Sequence, residues 1–248
     1  MVVRENILPS EGGKLEKALT IVLQKILKWV AERDYDKALQ DVEKLRKKYP
    51  SLTADELADK LINNKAIWAG IVGFGMGAID TIPGLGQAIA LLGIPGEAAW
   101  LIKSQVQIII RIILIYDEEV PRDELPYLVV SSFVFQCGAN FVKTVAKEAS
   151  IRLTKKAIQK FLRKNTLKMV KKVAKAIGIK FTKKGLLKKV PVIAIPVNAV
   201  LNYEDIKIAG KIAKKLFSPN YIVCPHCGEL YHKNEKQCPK CGTLKPNI

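Results

Sequence analysis

Histidine is nearly missing from this 248-residue chain, which holds only two, His226 and His232, both close to the C-terminus. No serine, histidine and acid combination can be read outside that short segment, so hydrolase-type nucleophilic chemistry is disfavoured and a non-enzymatic protein is expected. Aromatic residues make up only 7%, which leaves the bases of single-stranded nucleic acid few stacking partners. Cysteine is scarce as well, with five in all, and four of these lie between Cys224 and Cys241. That clustering is unlike a disulfide framework spread through a secreted domain. Met1 leads into Val2-Val3-Arg4-Glu5-Asn6 with no apolar segment of the signal-peptide kind behind it, so a cytoplasmic protein is expected. Long apolar runs also fall short. The charge-free stretches 66–79 and 81–96 have 14 and 16 residues, below the roughly 18–20 needed to cross a bilayer.

Acidic residues are missing from one place in particular. The formal net charge is +18, and residues 141–190 hold 17 basic groups against a single acid, Glu148. Such a local field implies a polyanionic partner and says nothing about fold.

The rest of the chain reads as helices. Leu15, Leu19, Val22, Leu23, Ile26 and Val30 recur at three- and four-residue steps, and Ala38, Val42 and Leu45 repeat the pattern before Pro50. Thr53-Ala54-Asp55-Glu56 is a capping box that predicts the start of a long helix. Between residues 66 and 96 eight glycines and one ionisable group, Asp80, predict a buried Gly-rich helical hairpin, with Gly73 and Gly77 allowing close backbone approach. Residues 98–116 are apolar nearly all round and predict a central core helix, and 125–142 predict another, started by Asp123. Cys137, in that second run, is expected to be a buried apolar filler. Asp80, followed by Thr81 and Pro83, is expected to cap the helix after it.

On a helical wheel, residues 153–164 put Leu153, Ala157, Ile158, Phe161 and Leu162 opposite Arg152, Lys155, Lys156, Lys160 and Arg163, with Lys164 continuing the charge. Residues 167–177 put Leu167, Val170, Val173, Ala174 and Ile177 opposite Lys168, Lys171, Lys172 and Lys175. The two apolar stripes disagree in phase by about 140° on an ideal helix, which predicts a break at Asn165-Thr166. Lys183, Lys184, Lys188 and Lys189 extend the charge further.

The order of features resembles the EcsC family. The residues that carry the likeness are Gly77-Ala78-Ile79-Asp80-Thr81-Ile82-Pro83-Gly84, Ile113-Leu114-Ile115-Tyr116-Asp117, and Val190-Pro191-Val192-Ile193-Ala194-Ile195-Pro196 with Asn198, Asn202 and a closing helix to Phe217. The resemblance spans roughly residues 55–217 and implies an all-helical domain with paired apolar helices that works near membranes, without a settled enzymatic activity. The chain departs from the family in its lysine density over 143–189 and in the module that follows residue 217.

That module carries the most specific signal. Cys224-Pro225-His226-Cys227-Gly228 and Cys238-Pro239-Lys240-Cys241-Gly242 are two Cys-x-x-Cys knuckles with ten residues between them. Four thiolates in this spacing predict one structural Zn2+ in a zinc ribbon, with Gly228 and Gly242 at positive φ. A closed four-thiolate shell leaves no position for a catalytic water. His232 is expected at the surface.

The expected whole is an all-α multi-helix protein with N-terminal amphipathic helices (1–52), an EcsC-like domain (53–217) and a zinc ribbon (218–248). The expected partner is the ribosome or structured RNA, gripped through phosphates by the lysine face, with a homodimer that regulates or silences translation as the working form. The alternatives are an anionic membrane surface met by the same lysines and a scaffold without any polyanion.

Overall fold

A computed structural model describes residues 9–72, 96–187 and 191–246, and these form a helical bundle with a small two-stranded ribbon at the C-terminus. The elements are α1 (Pro9–Trp29), α2 (Tyr35–Lys48), α3 (Ala54–Val72), α4 (Gly96–Tyr116), α5 (Leu125–Gln136), α6 (Ala139–Glu148), α7 (Lys155–Leu187), α8 (Pro191–Phe217), β1 (Tyr221–Val223) and β2 (Leu230–His232). A single π-helical segment, Val30–Asp34, joins α1 to α2.

Helix α3 begins where the capping box places it. Thr53 Oγ1 accepts from the Glu56 amide at 3.3 Å, and Glu56 accepts from the Thr53 amide at 2.8 Å, so two amides at the helix start are satisfied reciprocally. Helix α4 is the centre of the bundle: Val106, Ile109, Ile110 and Leu114 are fully buried, and α2, α3 and α8 all pack on it. Among the described residues it is the one helix long and apolar enough to cross a membrane, yet 72% of its apolar window is inside the bundle, as befits a core helix. Helices α1 and α5 pack on α7. Helices α3 and α8 approach closely at Gly210, where a Cβ would lie 2.6 Å from Ile62 Cγ1.

Three expectations are corrected. Residues 125–142 are two helices, because Gly138 at φ 97, ψ 163 breaks the chain between α5 and α6. The helix start there is Leu125, not Asp123, with Pro126 in the first turn, where its missing amide costs nothing. Cys137 is half-buried at the end of α5, not a core filler. The Gly-rich hairpin expected at 66–96, with Asp80, falls for residues 73–95 outside the described residues, while α3 continues to Val72.

Helix α7 breaks at Asn165, whose φ of −127° and ψ of 23° are not helical. The Asn165 amide donates to the Phe161 carbonyl at 3.0 Å and the Thr166 hydroxyl to the Leu162 carbonyl at 2.8 Å, so side chains occupy backbone acceptors at the break. The break is where the stripes lose phase, but the buried stripes differ from the wheel. Leu153 lies before the helix, Leu167 is 65% exposed, and Met169 takes its place in the core beside Val170 and Val173.

Candidate metal centre and basic face

The ribbon is built from two equivalent turns. In the first, the Gly228 amide donates to the Cys224 carbonyl at 2.9 Å and the Cys224 amide to Glu229 at 2.8 Å. In the second, Gly242 donates to Cys238 at 2.9 Å and Cys238 to Thr243 at 2.9 Å. Gly228 and Gly242 have φ of 77° and 70°, the left-handed region that a side chain would strain.

These turns bring Cys224, Cys227, Cys238 and Cys241 together, with all four Sγ atoms within 4.8 Å of one another. The Cys224–Cys241 and Cys227–Cys238 sulfur pairs are each 3.6 Å apart. Four sulfurs placed tetrahedrally about 2.3 Å from one ion would be about 3.8 Å apart, so the cluster has the dimensions of a closed metal site. Thr243 Oγ1 lies 3.2 Å from Cys241 Sγ and holds that thiol down at about 5, whereas burial pushes Cys227 up to about 12. A bound cation would supply the drive to remove the remaining protons. Both histidines stay outside the shell. His226 is exposed, and His232 is half-buried, its Nδ1 accepting from the Asn234 amide at 3.2 Å.

The ribbon sits on the bundle. Val223 and Leu230 join the main core, and a Cβ on Gly228 would lie 3.0 Å from the Ala139 carbonyl at the start of α6. Asn220 donates to Asp55 at 2.9 Å, which ties the ribbon to the first turn of α3, and Tyr116 donates to the other Asp55 oxygen.

The predicted cations divide by environment. Arg152, Lys156, Lys160, Lys164, Lys171 and Lys175 are exposed and have no acidic partner among the described residues, and Lys168 is exposed but close enough to Glu148 to help lower its pKa. Arg163 pairs with Glu124 at 3.3 Å, and Lys172 pairs with Glu148, the lone acid of the stretch. Lys155 is not on the face. Its Nζ donates to the carbonyls of Lys215 at 2.7 Å and Ser218 at 2.8 Å, and burial pulls its ammonium down to about 8. It fastens the start of α7 to the end of α8. Lys183 and Lys184 lie along α7, and Lys188 and Lys189 are outside the described residues.

Where the ribbon meets α6 and the start of α7, the surface opens into a cleft of about 1210 Å3. Lys143, Lys147, Arg152 and Lys156 are among its lining residues, together with Tyr221 and His226, and no acidic residue lines it. Sequence reading missed Lys143, Lys147 and Tyr221 as site residues. The two lysines are one turn apart on α6, a signal present in the sequence, but nothing in the sequence says that β1 closes over them. No family model, no curated protein and no solved structure matches this chain.

Proposed function

We propose that the protein is a non-enzymatic factor that binds structured RNA, foremost ribosomal RNA, through the phosphates facing α7, and regulates or silences translation as a homodimer. One observation carries the reading: six exposed cations from Arg152 to Lys175 with no acidic partner among the described residues. Uncompensated, they repel one another, and a phosphate backbone relieves that repulsion by releasing its own counterions. In the same proposal the four-cysteine cluster holds one Zn2+, because four thiolates in a tetrahedron select zinc among the abundant divalent ions. The ion is structural and supplies folding energy to the ribbon.

A membrane reading has its own support. Ile67, Trp68 and Ile71 on the last turns of α3 are 53%, 65% and 60% exposed, and Val200 on α8 is 61% exposed. Exposed apolar side chains grouped at one end of a bundle suit insertion at an interface, and the likeness to the EcsC family belongs with this reading.

Sedimentation and flotation separate the two. The RNA reading expects comigration with ribosomal subunits that survives detergent and is lost on nuclease treatment. With five to eight phosphates engaged, affinity for a duplex-like target falls about two to four decades between 50 and 200 mM salt. Lys168→Glu, Lys171→Glu and Lys175→Glu together should abolish the binding and keep helicity, since the buried Met169, Val170 and Val173 are untouched. Flotation with anionic vesicles, without comigration at physiological salt, overturns the RNA reading in favour of the membrane.

A further inference from the structure

We propose that the cleft between the ribbon and α6 binds a short unpaired segment of RNA, with phosphates on its lysine and arginine rim and a base against Tyr221. The inference rests on the RNA reading above and assigns a second, separate contact within it.

Charge gives the first argument. Lys143, Lys147, Arg152 and Lys156 are all exposed at the cleft, and no acid offsets them there. Lys143 and Lys147 are one turn apart, a rise of about 6 Å along α6, comparable with the step between successive phosphates of an extended strand. Size gives the second. A cleft of about 1210 Å3 exceeds the roughly 300–1000 Å3 that holds one drug-sized ligand, so it has room for more than one nucleotide.

The lining gives the third. Apolar side chains such as Ile151 and Ile222 line the cleft together with Tyr221, whose ring is held edge-on to His232 with centroids 5.2 Å apart. A base needs a flat apolar support with polar atoms at its edge. The exposed Asn140 side-chain amide provides such atoms, and the Thr144 hydroxyl, which donates to the Asn140 carbonyl at 3.0 Å, can still accept. An acyl chain has no use for them, and the exposed apolar cluster suited to lipid is elsewhere, around Trp68. The scarcity of aromatics argues against single-strand binding along the whole lysine face, but a single site needs only the one ring that β1 brings to the cleft.

The test uses the full chain with zinc and a fluorescein-labelled hexauridylate, read by anisotropy beside a structured ribosomal RNA fragment. If three phosphates are contacted, affinity for the hexamer falls about 20-fold between 50 and 200 mM salt. Lys143→Ser, Lys147→Ser and Arg152→Ser combined should weaken hexamer binding by about tenfold or more, and Tyr221→Leu by about tenfold. Lys168→Ser, Lys171→Ser and Lys175→Ser combined should spare the hexamer and weaken the structured fragment. Zinc content and circular dichroism report folding. Should a variant lose either, photocrosslinking of 4-thiouridine RNA to the wild-type chain decides, with adducts expected on peptides containing Tyr221 or Lys143. A wild-type chain that binds the structured fragment but not the hexamer overturns the cleft inference and leaves the RNA reading standing. Failure to bind either overturns both. Adducts confined to residues 160–175, or displacement of the hexamer by anionic vesicles but not by unlabelled hexamer, also overturn the inference.

Discussion

Arg111 is 2% exposed in the C-terminal third of the core helix α4, a place where an unpaired guanidinium would be costly. Its Nη1 donates to Asp34 at 3.1 Å and to the Gln107 carbonyl at 3.0 Å, and its Nε and Nη2 donate to Asp41 at 2.9 and 2.7 Å. Asp34 is also 2% exposed, carried there by the π-helical segment between α1 and α2. Removing one partner of such a pair leaves the other charge stranded, so Arg111→Met should destabilise the protein by about 3–5 kcal/mol in urea unfolding. Changing Asp34 to Leu in the same chain should restore only part of that loss, because the buried carboxylate is gone but the buried Lys103 on α4 then loses the opposite charge of Asp34. Asp55 obeys a different rule. Burial raises its pKa, but hydrogen bonds from Tyr116 and Asn220 outweigh this and hold the carboxyl below its ordinary 3.8. The depressed value means that Asp55 stabilises the fold above 3.8 and that this contribution is lost as pH falls through its lower folded value. Stability measured between pH 4 and pH 2 should therefore decline less steeply for Asp55→Asn than for the wild type.

At the scale of elements, glycine decides two junctions by different means. Gly138 has φ of 97°, and a Cβ there would meet nothing within 4 Å. Gly138→Ala should thus cost about 1–3 kcal/mol through backbone strain alone, read as a lower denaturant midpoint with an unchanged m-value. At Gly210 the conformation is helical, and it is the Ile62 side chain at 2.6 Å that forbids a Cβ. Neither constraint could be read from the sequence, where Gly138 stood inside a charge-free run that reads as one continuous helix. What could be read were local rules with a fixed spacing. The Thr53–Glu56 box and the knuckle glycines each depend on residues a few positions apart, the break at Asn165 on the helical period either side of it, and each is found. The wheel misassigned Leu167 because α7 meets α1 and α5 along a stripe set by the bend, which places Met169 inward. The cleft was illegible for the corresponding reason at longer range. Lys143 and Tyr221 are far apart in the chain, and only the docking of Val223 and Leu230 on the core brings them to one surface.

Across the whole molecule, the ribbon and the exposed apolar cluster lie at opposite ends of α3. The ribbon is tied to Asp55 in the first turn, and Trp68 and Ile71 lie on the last turns, about 20–25 Å further along at 1.5 Å per residue. The two ends should therefore respond separately to loss of the proposed metal. Structural zinc supplies about 10–16 kcal/mol to isolated fingers near neutral pH, and the strands here contribute only three residues each. Chelation, or Cys238→Ser, should unfold the ribbon while α1 to α8 keep their helicity, because the fully buried side chains of α4 do not depend on it. The cleft should disappear with the ribbon, since Tyr221 and Pro225 form one wall. On the proposed RNA reading, hexauridylate binding should then be lost, whereas the exposed lysines 168, 171 and 175 on α7 should still engage structured RNA. Stoichiometric release of zinc, with little change in far-UV circular dichroism and selective loss of hexamer binding, is the expected result. A collapse of helicity on chelation would show instead that Val223 and Leu230 are keystones of the core, and that the ribbon and the bundle fold as one unit.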